Sequence, residues 1–317
     1  MNIIEFSNVT KTYQGRLILD NISLTMARGD FHTLIGSSGA GKTTMLRLIN
    51  GLIKPDSGGI LVNGKDIRQT NIIELRRNIG YVIQSIGLFP HMNIYDNINY
   101  VPALMGADKA AGAERVNELV KLVGMQESDL KKYPSQLSGG QKQRVGVARA
   151  LAADPEIILM DEPFGAVDDI TRHKLQDEIM EIHRKLGKTV VFVTHDIEEA
   201  IKLGTRIIIL NEGRIEQIGS RNEITFFPKN EFVRAFLGNK SYISYLTTTK
   251  IADVCLAAVD AAADMPSISG DAPVIDGVRR ILSAEAEALN VIDRDGAVIG
   301  KFDLAFDVRI KQGLECQ

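Results

Sequence analysis

The chain has 317 residues, 44% hydrophobic and 24% charged, enough for about two domains with a sizeable buried core. Its 37 Lys and Arg against 40 Asp and Glu leave a net charge of −3, which excludes a nucleic-acid binder working by bulk charge. A mean hydropathy of −0.01, with no apolar run near the ~20 residues of a membrane helix, excludes a multi-span membrane protein.

In chain order, residues 3–13 mix apolar and polar side chains as a strand does, and Gly15 marks a turn. No basic-then-apolar leader precedes them, so a cytoplasmic location is expected. Residues 31–35 form a short apolar run that ends in a glycine-rich loop. Residues 43–50 read as a helix whose apolar positions are Met45, Leu46, Leu48 and Ile49. A turn over 54–59, a strand over 60–62 and a second turn at Asn63-Gly64 follow. Residues 92–125 read as mostly helical. The continuous apolar runs 156–160 and 189–194 look like strands buried on both faces. Between them, residues 169–186 carry helical periodicity that stops at Gly187. Strands alternating with helices imply an α/β domain with a largely parallel core sheet.

The pattern changes after Gly238, where a boundary is placed: residues 1–238 form one domain and 239–317 a tail. Residues 251–265 are alanine-rich, 266–273 read as a loop, and 289–300 as strand, tight turn and strand. The two cysteines, Cys255 and Cys316, can form no disulfide framework, and neither lies in a metal-ligand cluster.

Gly36-Ser37-Ser38-Gly39-Ala40-Gly41-Lys42-Thr43 fits the phosphate-binding pattern G-x-x-x-x-G-K-[ST], after a strand and before a helix, and Thr44 extends the set. Glycines let backbone N–H groups converge on an anion, and the helix start adds its dipole. Lys42 supplies a charge for the β- and γ-phosphates, and the Thr43 hydroxyl a ligand for Mg²⁺. The second requirement is a carboxylate at a buried strand end, which Asp161 provides as a metal ligand. Glu162 comes next, placed to act as general base on a water.

Leu137-Ser138-Gly139-Gly140-Gln141 narrows the choice: the chain closely resembles the ATP-binding cassette ATPases, whose signature is LSGGQ. The resemblance covers about residues 1–238. It implies a P-loop NTPase with a RecA-like core sheet, an antiparallel β subdomain and a helical subdomain. It implies that Tyr13 stacks on adenine, that Gln84 touches Mg²⁺ and senses a membrane partner, and that Asp168 is the D-loop aspartate. It makes His195, in Thr194-His195-Asp196, the residue that contacts the γ-phosphate. Catalysis then falls to Glu162, His195 and Lys42, with ATP and Mg²⁺ bound. One chain then has two phosphate cradles, at Gly36–Thr43 and at Ser138, and the resemblance accounts for this by implying a head-to-tail homodimer in which each nucleotide lies between the loop of one chain and the signature of the other.

A single cassette without membrane spans resembles the stand-alone subunit of a bacterial importer. That implies permease subunits, an extracytoplasmic substrate-binding protein, a peripheral place on the cytoplasmic face of the membrane and no nucleic-acid partner. The run 86–91 resembles the osmoprotectant and quaternary-amine uptake ATPases (glycine betaine, carnitine, choline), with Leu88 and Phe89 expected to be exposed in a groove for a permease helix. An amino-acid importer ATPase would keep every catalytic residue named. A soluble cassette acting on DNA or ribosomes commonly carries two cassettes or coiled-coil inserts, and neither is visible. An exporter or lipid-handling ATPase is the remaining class. Residues 290–300 resemble part of a cystathionine-β-synthase (CBS) module, of which one unit is visible. There Asp303 replaces the usual hydroxyl residue, where its carboxylate would repel a phosphate, and Asp307 corresponds to the ribose-binding acid shifted by one position.

Overall fold

The computed structural model describes residues 1–84, 87–165, 167–257 and 265–312; Ser85, Ile86, Ala166, Cys316 and residues 258–264 of the alanine-rich run lie outside it. The chain divides into two compact units, Met1–Ile218 and Gly219–Gln317. The boundary expected after Gly238 falls inside the second.

The first unit runs β1 (Asn2–Tyr13), β2 (Arg16–Ala27), β3 (Phe31–Gly36), α1 (Lys42–Ile49), β4 (Ser57–Val62), β5 (Lys65–Asp66), α2 (Ile72–Arg77) and β6 (Ile79–Val82). It continues with α3 (Ile94–Leu104), α4 (Lys109–Leu122), α5 (Gly139–Leu151), β7 (Ile157–Asp161), α6 (Asp169–Leu186), β8 (Thr189–Val193), α7 (Ile197–Leu203), β9 (Arg206–Asn211) and β10 (Arg214–Gly219).

Two sheets and a helical group result. The core sheet has the order β10-β9-β3-β8-β7-β6, and the pairs among β9, β3, β8, β7 and β6 are parallel. Every residue of β3, β7 and β8 is buried, so their continuous apolar runs report strands covered on both faces. The second sheet, β2-β1-β4-β5, is antiparallel, and its two long strands alternate buried and exposed residues. Helices α3, α4 and α5 pack together, and Ile98, Val116, Leu119 and Val145 join the core under α6. The core sheet, antiparallel sheet and helical group match the expected α/β architecture.

Helix ends follow local chemistry. Asp168 caps α6 by accepting from the Thr171 N–H at 3.0 Å, and Gly187 ends it at φ 61°. Asp196 caps α7 through the Glu198 and Glu199 N–H groups. Among the described residues no helix is long and apolar enough to cross a membrane.

The second unit runs α8 (Arg221–Phe226), α9 (Glu231–Leu237), α10 (Lys240–Thr248), β11 (Leu256–Ala257), β12 (Ser267–Ser269), α11 (Val274–Ala284), β13 (Ala288–Ile292), β14 (Val298–Asp303) and α12 (Phe306–Lys311). Its sheet has the order β11-β14-β13-β12. Strands β12 and β13 are parallel across the α11 crossover, and β13 pairs antiparallel with β14. The stretch 266–273, expected as a loop, therefore holds a strand of three residues, too short to show a period. Gly277 lets α11 press on the sheet, because a Cβ there would come 2.7 Å from the Phe302 ring. The Asp303 carboxylate is engaged by Arg309 at 2.7 Å and by the Ala305 N–H at 2.9 Å.

Candidate functional site

The phosphate loop links the C-terminal end of β3 to α1. Two of its glycines are dictated by packing: a Cβ on Gly36 would lie 2.1 Å from the Leu210 carbonyl oxygen, and one on Gly41, at φ 100°, 2.5 Å from Leu19. Around Gly39, at φ 79°, nothing lies within 4 Å of a Cβ position. Gly41 offers α1 no side-chain cap, unlike the starts of α5, α6 and α7. The first-turn N–H groups of α1 are thus left for an anion.

Lys42 is buried, and its ammonium donates to the carbonyls of Gly36 and Ser37, both at 2.9 Å. An ammonium has three donors, so one remains for a phosphate oxygen. Burial lowers the Lys42 pKa, and the charges of Glu162 and Asp161 oppose that shift. Ser37, Ser38 and Gly39 are exposed, Ala40 is buried and Thr44 half-buried.

The Thr43 hydroxyl donates to Asp161 at 3.0 Å, which joins the helix start to the end of β7. Asp161 is buried, and desolvation raises its pKa against the Thr43 hydrogen bond. Beside it, burial and the Asp161 charge push Tyr81 up to about 12. Glu162 stands at φ 44°, a left-handed conformation that costs a non-glycine residue about 1–3 kcal/mol. Its N–H donates to the Val193 carbonyl at 3.0 Å, which ties the turn to β8.

Three predicted residues then meet. Gln84 Nε2, after β6, donates to Glu162 Oε2 at 3.2 Å, and His195 Nδ1, after β8, lies 3.3 Å from the same oxygen. The structure thus brings Lys42, Thr43, Gln84, Asp161, Glu162 and His195 to the C-terminal ends of neighbouring strands. The Thr43 hydroxyl and the Asp161 carboxylate, joined at 3.0 Å, are oxygen donors of the kind Mg²⁺ takes. The arrangement can bind a nucleotide triphosphate and activate a water beside it.

The other predicted residues stand on separate elements. Tyr13, at the end of β1, is 41% exposed, and Lys11 Nζ lies over its ring, 5.4 Å from the centroid. Ser138 and Gln141 close a reciprocal cap at the start of α5: Ser138 Oγ accepts from Gln141 N at 3.3 Å and Gln141 Oε1 accepts from Ser138 N at 3.0 Å. Gly139 and Gly140 form the first turn between them. The cap holds the signature as a rigid helix start on the helical group.

Leu88 and Phe89 depart from expectation. Both are half-buried: Leu88 packs on the main core, and Phe89 sits 4.8 Å from the Tyr100 ring and 5.9 Å from the Arg149 guanidinium. Asn97, fully buried, holds the Phe89 backbone at both N–H and C=O. An internal anchor for this loop was not visible in a run of apolar letters.

The comparisons decide the family. The glycine betaine/carnitine/choline transport ATP-binding protein OpuCA of Bacillus subtilis is 44% identical over 303 residues, 95% of this chain and 78% of the relative. The chain belongs to the ABC transporter ATPases. The ABC transporter family profile matches residues 19–165. The glycine betaine uptake system ATP-binding protein YehX of Escherichia coli is 42% identical, over 94% of this chain and 96% of the relative. A dimeric ATP-binding cassette in a post-hydrolysis state, bound to ADP and Pi, superposes with a TM-score of 0.62 at 36% identity, over 68% of this chain and 98% of that one.

This ABC ATPase also holds residues that sequence reasoning missed. Glu199 is buried on α7 and accepts from the Thr194 hydroxyl at 2.6 Å and from Gln176 at 3.4 Å. Burial raises its pKa, and the Thr194 hydrogen bond opposes the shift. The available signal was a carboxylate four residues after His195, on the inward side of a short helix.

Proposed function

We propose that this ABC ATPase energises an importer for an osmoprotectant or quaternary amine such as glycine betaine, carnitine or choline. It works as a homodimer beneath permease subunits on the cytoplasmic face of the membrane, and an extracytoplasmic binding protein delivers the solute. The observation that carries the hydrolytic reading is the shared Glu162 oxygen, reached from β6 by Gln84 and from β8 by His195.

Each residue then has a task. The loop 36–44 wraps the phosphates, and Lys42 holds the β- and γ-oxygens. Thr43, Asp161 and Gln84 would hold Mg²⁺, which would supply positive charge to offset that of the phosphates. Glu162 orients the attacking water and takes its proton, and His195 steadies the γ-phosphoryl group. Tyr13 stacks on adenine. Ser138, Gly139, Gly140 and Gln141 of the second chain close the site, with Asp168 between the two chains. ATP favours the closed pair and its products the open one, and that difference in affinity is the work delivered.

A groove of about 330 Å³ supports the permease reading: Arg76, Arg77, Phe89, Tyr100 and Arg149 line it, offering an aromatic floor and cations to a short helix. The solute class is supported by similarity that runs through the tail, beyond the cassette, in relatives named for glycine betaine, carnitine and choline. The β12-α11-β13-β14-α12 order supports a single CBS-like unit in that tail. Arg309 on Asp303 favours a structural role there over nucleotide sensing.

Deleting the gene tests the solute class. Uptake of labelled glycine betaine, carnitine or choline should fall and return with the wild-type chain, not with E162Q. Unchanged uptake of all three, with loss of amino-acid uptake instead, would overturn it.

A further inference from the structure

We propose that Glu199 is a positioning residue that fixes the loop carrying His195 and ties it to the helix beginning at Asp168. This rests on the assignment of His195 to the γ-phosphate. His195 has a side chain 67% exposed, so packing does not orient its ring; the contact with Glu162 Oε2 and the backbone of its loop do. Thr194 fixes that backbone. Its hydroxyl accepts from the Asp196 N–H at 3.0 Å and donates to Glu199 Oε2 at 2.6 Å, bracketing His195 between two held residues.

The other Glu199 oxygen faces α6, where Gln176, 2% exposed, donates at 3.4 Å. A second tie between the same helices is Lys202 to Asp177 at 2.7 Å. Since α6 starts at the Asp168 cap and α7 just after His195, the two loops move as one body. A carboxylate buried against neutral donors is costly, and an apolar side chain would fill the volume more cheaply. What the carboxylate adds is two directed hydrogen bonds, one to each loop's support.

The test is steady-state ATPase and fluorescent-nucleotide binding on the full chain, for E199A, E199Q, T194V, E199A/T194V and H195A, with melting curves to show that each is folded. E199A and T194V should each lower kcat about fivefold or more with nucleotide affinity within about twofold, and the double variant should lose less than the product of the two single losses, because the Thr194–Glu199 bond is common to both. E199Q, which keeps an acceptor for Thr194, should recover most of kcat. A folded E199A at the wild-type kcat, or a loss confined to nucleotide affinity, would overturn the proposal. If E199A does not fold, T194V decides: a folded T194V at the wild-type rate would overturn it. H195A at the wild-type rate would remove the underlying assignment, whereas slow H195A beside wild-type-rate T194V and E199A would overturn only this inference.

Discussion

Gln84 and Glu162 come from the ends of adjacent parallel strands, 78 positions apart, and the Gln84 amide donates to the Glu162 carboxylate at 3.2 Å. The contact ties the residue assigned to sensing the permease to the residue assigned to the water. A shift of Gln84 on docking moves a partner of the base. Glu162→Gln keeps the shape and removes the proton acceptor. Hydrolysis should fall by on the order of 10²-fold or more while ATP binding persists, read by phosphate release and equilibrium binding. Wild-type turnover in E162Q would exclude Glu162 as base.

Tyr13 is expected to act on binding alone. Tyr13→Ala should weaken ATP binding by about 1–3 kcal/mol, roughly five- to hundred-fold in KM, with kcat little changed. Tyr13→Phe should retain the wild-type KM. A Y13A enzyme with normal KM and reduced kcat would place Tyr13 elsewhere in the mechanism.

Most of the nucleotide site was legible in the sequence, because its parts are contiguous. Gly36 to Thr43 and Asp161-Glu162 are local runs flanked by apolar strands, and Asp169–Leu186 has a cap and a glycine stop at its two ends. The convergence on Glu162 Oε2 was not legible, since strand order β6-β7-β8 is a tertiary fact. Strand β2 was passed over although Ile22, Leu24 and Met26 alternate with the exposed Ser23 and Thr25. Glu199 and Asn97 were missed for one reason: burial of a polar residue depends on partners far along the chain.

Two histidines contribute to the acid limb of stability. His32 and His183 are lowered from the ordinary value, first by burial, while their bonds to Ala27 and Gly29 oppose the shift. The unfolded chain therefore binds more protons than the folded one as pH drops through about 6.5, and stability falls with it. Melting temperature should decline between pH 7.5 and 5.5, more gently in H32N/H183N. An equal slope in that variant would assign the decline to other groups.

The domain boundary is open to truncation. Helix α8 contributes Phe226, edge-on to Tyr245 at 4.9 Å, and the half-buried Arg221 to the second unit. A chain ending at Ile218 should melt cooperatively and hydrolyse ATP, whereas one ending at Gly238 strands α8 and should aggregate more. If 1–238 folds and 1–218 does not, the boundary lies after α9.

The head-to-tail pair is the centre of the account, and sedimentation of E162Q with and without ATP tests it most directly. An ATP-dependent dimer is expected that disappears when Ser138→Arg is added, since the signature of one chain must reach the nucleotide of the other. E162Q that binds ATP yet stays monomeric, or E162Q/S138R that dimerises equally well, would contradict it.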